Sequence, residues 1–228
     1  MLVWIASYPR SGNRFFRTVA RVRYGLPERA KLAGPPETDP NYPILHSLEA
    51  VLATPQPVMV KTHEMPEADA HPAVYVLRDG RDAMVSYTHF ALKVHDKVDP
   101  VAVTPELFRS RMRELLLEER SSYGSWSENV LAWGVRPGTV LVRYEDMVRD
   151  PAGEVDRALA AVACPAARVS DEVPTFESMK QENAKLVRRG VPGSWKDEFP
   201  PDLLPLFWQR NGDVMRTFGY ADSAERAA

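Results

Sequence analysis

Four short apolar runs limit the fold more than any other feature of the sequence. Leu2–Ala6, Pro57–Val60, Ala73–Leu77 and Thr139–Val142 carry almost no polar alternation. A strand with one wet face alternates apolar and polar side chains, so an unbroken run implies that both faces are covered. Between these runs the apolar positions recur at helical spacing: Phe15, Phe16, Val19, Ala20 and Tyr24; Met84, Val85 and Tyr87; Phe108, Met112, Leu115 and Leu116; Trp126, Val130, Leu131 and Trp133. Strands alternating with helices predict an α/β domain of three layers, α/β/α, around a central parallel sheet. At 228 residues, 44% apolar and 26% charged, one domain spanning 1–228 is expected.

Helix starts can be read from their caps. Asp79 opens the helix through Met84, Thr104-Pro105-Glu106 the next, and Ser125 the one carrying Trp126 and Trp133, both expected in the core. Further helices are expected over Ala152 to Val162, Phe176 to Leu186 and Leu203 to Phe218. The prolines of residues 25 to 56 predict a loop-rich connection with one short helix within Ile44 to Leu52. An irregular segment is expected ahead of Thr104.

Composition excludes several classes. A net charge of -2 and a pI near 6.2 oppose binding to duplex nucleic acid by phosphate neutralisation. Cys164 is the only cysteine, which excludes an intrachain disulfide and a thiolate metal cluster. The apolar start breaks at Tyr8-Pro9, too short for a secretion signal, and no stretch reaches the roughly 18 apolar residues of a membrane span. A cytoplasmic protein is expected.

The turn Tyr8-Pro9-Arg10-Ser11-Gly12-Asn13-Arg14 joins the first strand to its helix. Backbone N–H groups and the positive helix end there can face an anion. Gly12 allows close approach, Ser11 and Asn13 add donors, and Arg10 supplies a charged fork. The Gly-Lys-[Ser/Thr] of an ATP- or GTP-hydrolysing loop is absent. Lys61-Thr62-His63 sets a cation and an imidazole at a strand end, the edge where open α/β sheets bind ligands. Arg78 ends another strand, and Ser86 follows in the next helix. Arg188-Arg189-Gly190 precedes Gly193-Ser194-Trp195-Lys196.

Together these segments resemble the cytosolic 3'-phosphoadenylyl-sulfate (PAPS)-dependent sulfotransferases, and the likeness covers most of the chain. The resemblance implies a P-loop-NTPase-like sulfotransferase fold. It also implies transfer of a sulfuryl group from PAPS to an acceptor hydroxyl or amine, releasing adenosine 3',5'-bisphosphate (PAP). Tyr8 to Phe16, with Arg10, Ser11, Gly12, Asn13 and Arg14, matches the family's loop for the 5'-phosphosulfate. Tyr75 to Phe90 matches its 3'-phosphate site, and Arg188 to Phe199 its carboxyl-terminal R-K-G-x-x-G-D-W-K-x-x-F motif.

In-line sulfuryl transfer needs a proton acceptor and charge stabilisation on the departing phosphate. His63 is the candidate base, since an imidazole can take a proton near neutral pH. Lys61 and Arg10 would bracket the phosphosulfate. Arg10 stands where the family has lysine; it can donate hydrogen bonds but holds its proton, so electrostatic assistance is expected from it. Arg78, Ser86, Arg188, Arg189 and Gly190 would hold the 3'-phosphate. By resemblance, Phe15 and Phe176 would line the adenine pocket with Tyr144; Phe15 replaces the usual tryptophan, and Pro174 sits where threonine is common. No metal is required by this chemistry.

Trp195 would either pack the carboxyl-terminal segment over the donor or simply anchor it. Arg81 and Asp82 are expected on a solvated helix face, and His46, His71, His89 and His95 in structural or exposed places. Two rival readings are a kinase on a related nucleotide-binding sheet, which needs magnesium and ATP, and a non-catalytic PAP-binding protein, which needs no base. The acceptor, a small molecule or glycan, is not legible; the short chain suggests shortened acceptor loops and an open site. Monomer and homodimer both remain open, because Asp197-Glu198-Phe199-Pro200-Pro201 lacks the Thr-Val of the family's pairing segment.

Overall fold

The computed structural model of the chain describes residues 1–30, 48–118, 122–175, 178–179, 181 and 190–220. Five parallel strands form one sheet, β1 (Leu2–Ala6), β2 (Glu28–Ala30), β3 (Val58–Thr62), β4 (Ala73–Leu77) and β5 (Thr139–Arg143), in the order β2-β3-β1-β4-β5. The four apolar runs are the four longer strands. Their side chains divide by alternation between two cores: Leu2, Trp4 and Ala6 enter one, Val3 and Ile5 the other, all nearly inaccessible. That two-sided burial explains the missing polar alternation.

Helices α1 (Asn13–Tyr24) and α7 (Pro151–Ala161) cover the Val3/Ile5 face. The opposite face is covered by α3 (Gly80–Phe90), α4 (Pro105–Leu117), α5 (Trp126–Gly134) and the helix Leu204–Thr217. Trp126 and Trp133 are each 1% exposed in that second core. Asp79, Thr104 and Ser125 cap their helices as their sequence positions predict, Ser125 within a full capping box with Glu128. Short α2 (Leu48–Leu52) lies within the span expected to hold one short helix, and α6 (Tyr144–Arg149) follows β5 directly. Among the described residues, no helix is long and apolar enough to cross a membrane.

Two expectations are corrected. The connection after α1 contains β2, whose three residues, Glu-Arg-Ala, are too short and too polar to form an apolar run and join the sheet by pairing with β3. The segment ahead of Thr104 is more regular than its sequence suggests: α3 runs straight into a π-helical turn, Ala91–His95, and Asp99 caps a 3-10 turn, Pro100–Ala102. The helix expected over Phe176 to Leu186 lies mostly outside the described residues.

The connection from β1 leads to the β2/β3 side and that from β4 to the β5 side. The strands part at β1/β4, and the carboxyl ends at such a point form the ligand crevice of open α/β sheets.

Candidate active site

Two residues of the loop after β1 are left-handed, Arg10 at φ 66° and Gly12 at φ 100°, the kind of backbone from which concave anion sites are built; the Ser11 N–H donates to the Tyr8 carbonyl at 3.3 Å. Gly12 is required twice over: its φ disfavours a side chain, and a Cβ there would lie 2.4 Å from the Tyr144 ring. Arg10 has no such freedom, and its carbonyl is gripped by Arg78 Nη1 at 3.1 Å. Tyr144 thus forms the floor of the loop and also stacks under Arg78, whose guanidinium lies 4.3 Å from the ring centre. Its hydroxyl donates to the Gly190 carbonyl at 2.9 Å.

Arg10, Ser86 and Arg78 come together. Arg10 Nε donates to Ser86 Oγ across 3.4 Å while the guanidinium sits 5.0 Å over the Phe90 ring. Two polar atoms of this constellation, Ser11 Oγ and Arg78 Nε, are buried without a hydrogen-bond partner. Buried polar atoms are almost always paired, and an oxyanion supplies the acceptors these donors need, so the residues present fit a phosphate or sulfate ester. Asn13 behaves otherwise. Its Nδ2 donates to the Ile5 carbonyl at 2.8 Å and its Oδ1 accepts from Arg17 Nε at 2.8 Å, so the side chain fastens α1 to β1. Phe15 packs on the Val3/Ile5 core, to which Tyr144 also belongs. Phe176, Arg188 and Arg189 lie outside the described residues, as does His46.

His63 stands one residue beyond β3 and beside the end of β1. Its Nδ1 lies 2.8 Å from the Ser7 carbonyl oxygen. A carbonyl only accepts, so Nδ1 carries the proton and Nε2 keeps its lone pair. Burial holds the His63 pKa well below the usual imidazole value, with the Lys61 cation adding to the effect and the Ser7 bond opposing it. The ring is therefore neutral at physiological pH with one nitrogen able to accept. Lys61 shares the strand end and is half-buried.

Arg81 and Asp82 overturn the expectation of a solvated face: they are 6% and 1% exposed. Arg81 pairs with Asp79 at 2.7 Å and stacks 4.0 Å over the Trp195 ring. The Asp82 carboxylate accepts from the N–H groups of Gly193 at 2.7 Å and Trp195 at 2.8 Å. It fastens the carboxyl-terminal segment to α3, four residues from Ser86, and Trp195 anchors that segment in the core. Burial raises the Asp82 pKa, against which Arg78 acts. A buried ion needs such partners, and their distance along the chain hid them from sequence reasoning. Asn129 was also missed. It falls on the apolar stripe of Trp126, Val130 and Trp133, and a polar residue on a core face was the available signal.

The parallel sheet thus brings unpaired buried donors at the β1 and β4 ends close to a buried imidazole one residue beyond β3, at the strand edge where nucleotide-binding α/β folds take their ligands. The chain belongs to the sulfotransferase family: the family model for the sulfotransferase domain matches residues 2–219. Sulfotransferase 1E1 of Mus musculus is 26% identical over 89% of this chain and 79% of its own length. Sulfotransferase 1A1 of Canis lupus familiaris is 28% identical over 86% and 77%. Among solved structures, mouse sulfotransferase SULT7A1 complexed with PAP superposes with a TM-score of 0.67 at 20% identity, covering 96% of this chain and 89% of that one, which is a likeness of fold.

Proposed function

We propose that this enzyme moves a sulfuryl group from PAPS to an acceptor hydroxyl or amine by in-line displacement, as a single cytosolic domain acting on a small molecule or glycan. The observation that carries the reading is the pairing of two unlike groups at one sheet edge. Beside the Arg10–Ser86 contact, Ser11 Oγ and Arg78 Nε are buried without a hydrogen-bond partner, and the neighbouring His63 is tethered through Nδ1.

Arg78 and Ser86, with Arg188, Arg189 and Gly190, would hold the donor's 3'-phosphate, a group that ATP lacks. Arg10, Ser11, Arg14 and the N–H groups of Gly12 and Asn13 would hold the phosphosulfate. Phe15, Phe176 and Tyr144 would line the adenine site. His63 Nε2 would take the acceptor's proton as the acceptor atom bonds to sulfur and the sulfur–oxygen bond to the phosphate breaks. Arg10 and Lys61 would neutralise the charge that collects on that phosphate oxygen. Arg10 would act by charge and hydrogen bonding alone, since a guanidinium does not surrender its proton.

Thermal unfolding with PAP, beside ATP with magnesium and 5'-AMP, tests the donor. A ligand at 100 times its dissociation constant adds about 2.7 kcal/mol, a rise of roughly 5 °C. The reading expects this with PAP alone. A rise only with ATP and magnesium would replace it with the kinase reading.

A further inference from the structure

We infer that Asn129 and Tyr75 are positioning residues for the transfer, closing a ring of hydrogen bonds that aims His63 at the donor loop; the inference rests on the reading of His63 as the base. The ring can be followed bond by bond. His63 Nδ1 donates to the Ser7 carbonyl at 2.8 Å. The His63 carbonyl accepts from Asn129 Nδ2 at 2.9 Å. Asn129 Oδ1 accepts from the Tyr75 hydroxyl at 2.8 Å, and that hydroxyl accepts from the Tyr8 N–H at 3.2 Å. Tyr8 follows Ser7 in the chain, so the circuit closes at the first residues of the donor loop.

The ring does what the sheet cannot. Pairing between β1 and β3 ends at Ala6 and Thr62, so His63 and Glu64 lie beyond the paired register. Helix α5 takes over: Asn129 grips the carbonyl of His63, and Trp133 Nε1 donates to that of Glu64 at 2.9 Å. The second Asn129 N–H donates to the Tyr123 carbonyl at 2.8 Å, so every hydrogen-bonding atom of this amide except one lone pair is committed.

Asn129 and Tyr75 are both fully buried, and they satisfy the main-chain carbonyls of His63 and Tyr123 and the main-chain N–H of Tyr8, so the arrangement contributes to stability as well as to geometry. What the polar pair adds to stability is direction. The imidazole cannot turn without breaking the Ser7 bond, and its main chain cannot shift without breaking the Asn129 bond. A donor loop displaced by its ligand would carry the base along through Tyr8 and Ser7. Misplacement of a catalytic group by about 1 Å can cost on the order of a hundredfold in rate.

The test compares Asn129→Ala and Tyr75→Phe with wild type by NMR of nitrogen-labelled imidazoles, His63 being assigned through His63→Gln. Wild type is expected to show one tautomer, protonated at Nδ1, with a depressed pKa. Each variant is expected to show mixed tautomers and a pKa moved toward the ordinary histidine value, while the PAP dissociation constant of Asn129→Ala stays within about threefold, since the Asn129 side chain bonds His63, Tyr75 and Tyr123 and no residue of the donor loop. Turnover supplies the second arm. Asn129→Ala should lower kcat at least about tenfold in the wild-type background and less than about twofold in the His63→Gln background, because a residue acting through another costs nothing once that other is gone.

Unchanged His63 tautomer and pKa in both variants would overturn the inference, as would an Asn129→Ala cost of equal size in both backgrounds. Tyr75→Phe removes one hydroxyl and carries the NMR test if Asn129→Ala does not fold. Full turnover by His63→Gln would instead overturn the base reading, and the inference with it, whereas PAP binding reports on the donor site separately.

Discussion

The donor loop and the His63 segment sit side by side at one sheet edge and are built in opposite ways. The loop is held at a left-handed arginine, its Arg10–Ser86 contact is long at 3.4 Å, and Ser11 Oγ and the neighbouring Arg78 Nε lack partners. The His63 segment is satisfied on every side: ring to Ser7, carbonyl to Asn129, next carbonyl to Trp133. A group that binds an incoming anion keeps donors in reserve. A group that must be aimed before the acceptor arrives has its free directions removed, except the one lone pair it works with. Unsatisfied and over-determined polar groups are thus two different signatures, and here the ring of bonds, through Ser7 and Tyr8, links the two segments that carry them.

This contrast can be broken most severely at His63. His63→Gln should lower kcat by about a hundredfold to ten-thousandfold, the usual contribution of a general base, while PAP binding measured by calorimetry changes little. The donor side should show the reverse. Arg78→Lys keeps the charge but loses the planar fork that lies on Tyr144 and reaches the Arg10 carbonyl; PAP affinity should fall about 10- to 100-fold, with a far smaller change in kcat at saturating donor.

Gly12→Ala sharpens the contrast from the backbone. A methyl group meets the Tyr144 ring at 2.4 Å and φ is 100°, so stability should drop by about 1–3 kcal/mol in a denaturant titration, and PAP binding should weaken with it.

The smallest effect is on pH. Folded His63 protonates well below the ordinary value of 6.5, through burial and the facing cations Lys61 on β3, Arg17 on α1 and Arg10 on the loop. Between the two pKa values the unfolded chain binds more protons, so unfolding free energy falls as pH decreases through that window. Urea titrations below pH 6.5 should show this slope, at most about 1.4 kcal/mol per pH unit for one proton, and His63→Gln should flatten it.

The sequence made much of this visible, for reasons that separate cleanly. The unbroken apolar runs announced a sheet covered twice, and Asp79, Thr104 and Ser125 announced helix starts, because each signal lies within a few residues of its effect. The loop from Tyr8 to Arg14 and the pair Lys61 and His63 were legible through residue type and placement at strand ends. Strand β2 was not, since three residues, two of them charged, form no apolar run. Nor was Asp82, whose partners Gly193 and Trp195 are 111 and 113 positions away. Asn13 looked like a ligand donor and instead fastens α1 to Ile5. Asn129 works through His63 and Tyr75, 66 and 54 positions distant, a relation that only folding creates.

Transfer of labelled sulfate from PAPS to a panel of phenols, alcohols, sugars and amines, by wild type and by His63→Gln, tests the account most directly. It predicts acceptor-dependent transfer by the wild type, reduced at least about a hundredfold in His63→Gln although PAP binding persists. Equal transfer by the two proteins, or none to any acceptor class by a wild type that binds PAP tightly, would contradict it.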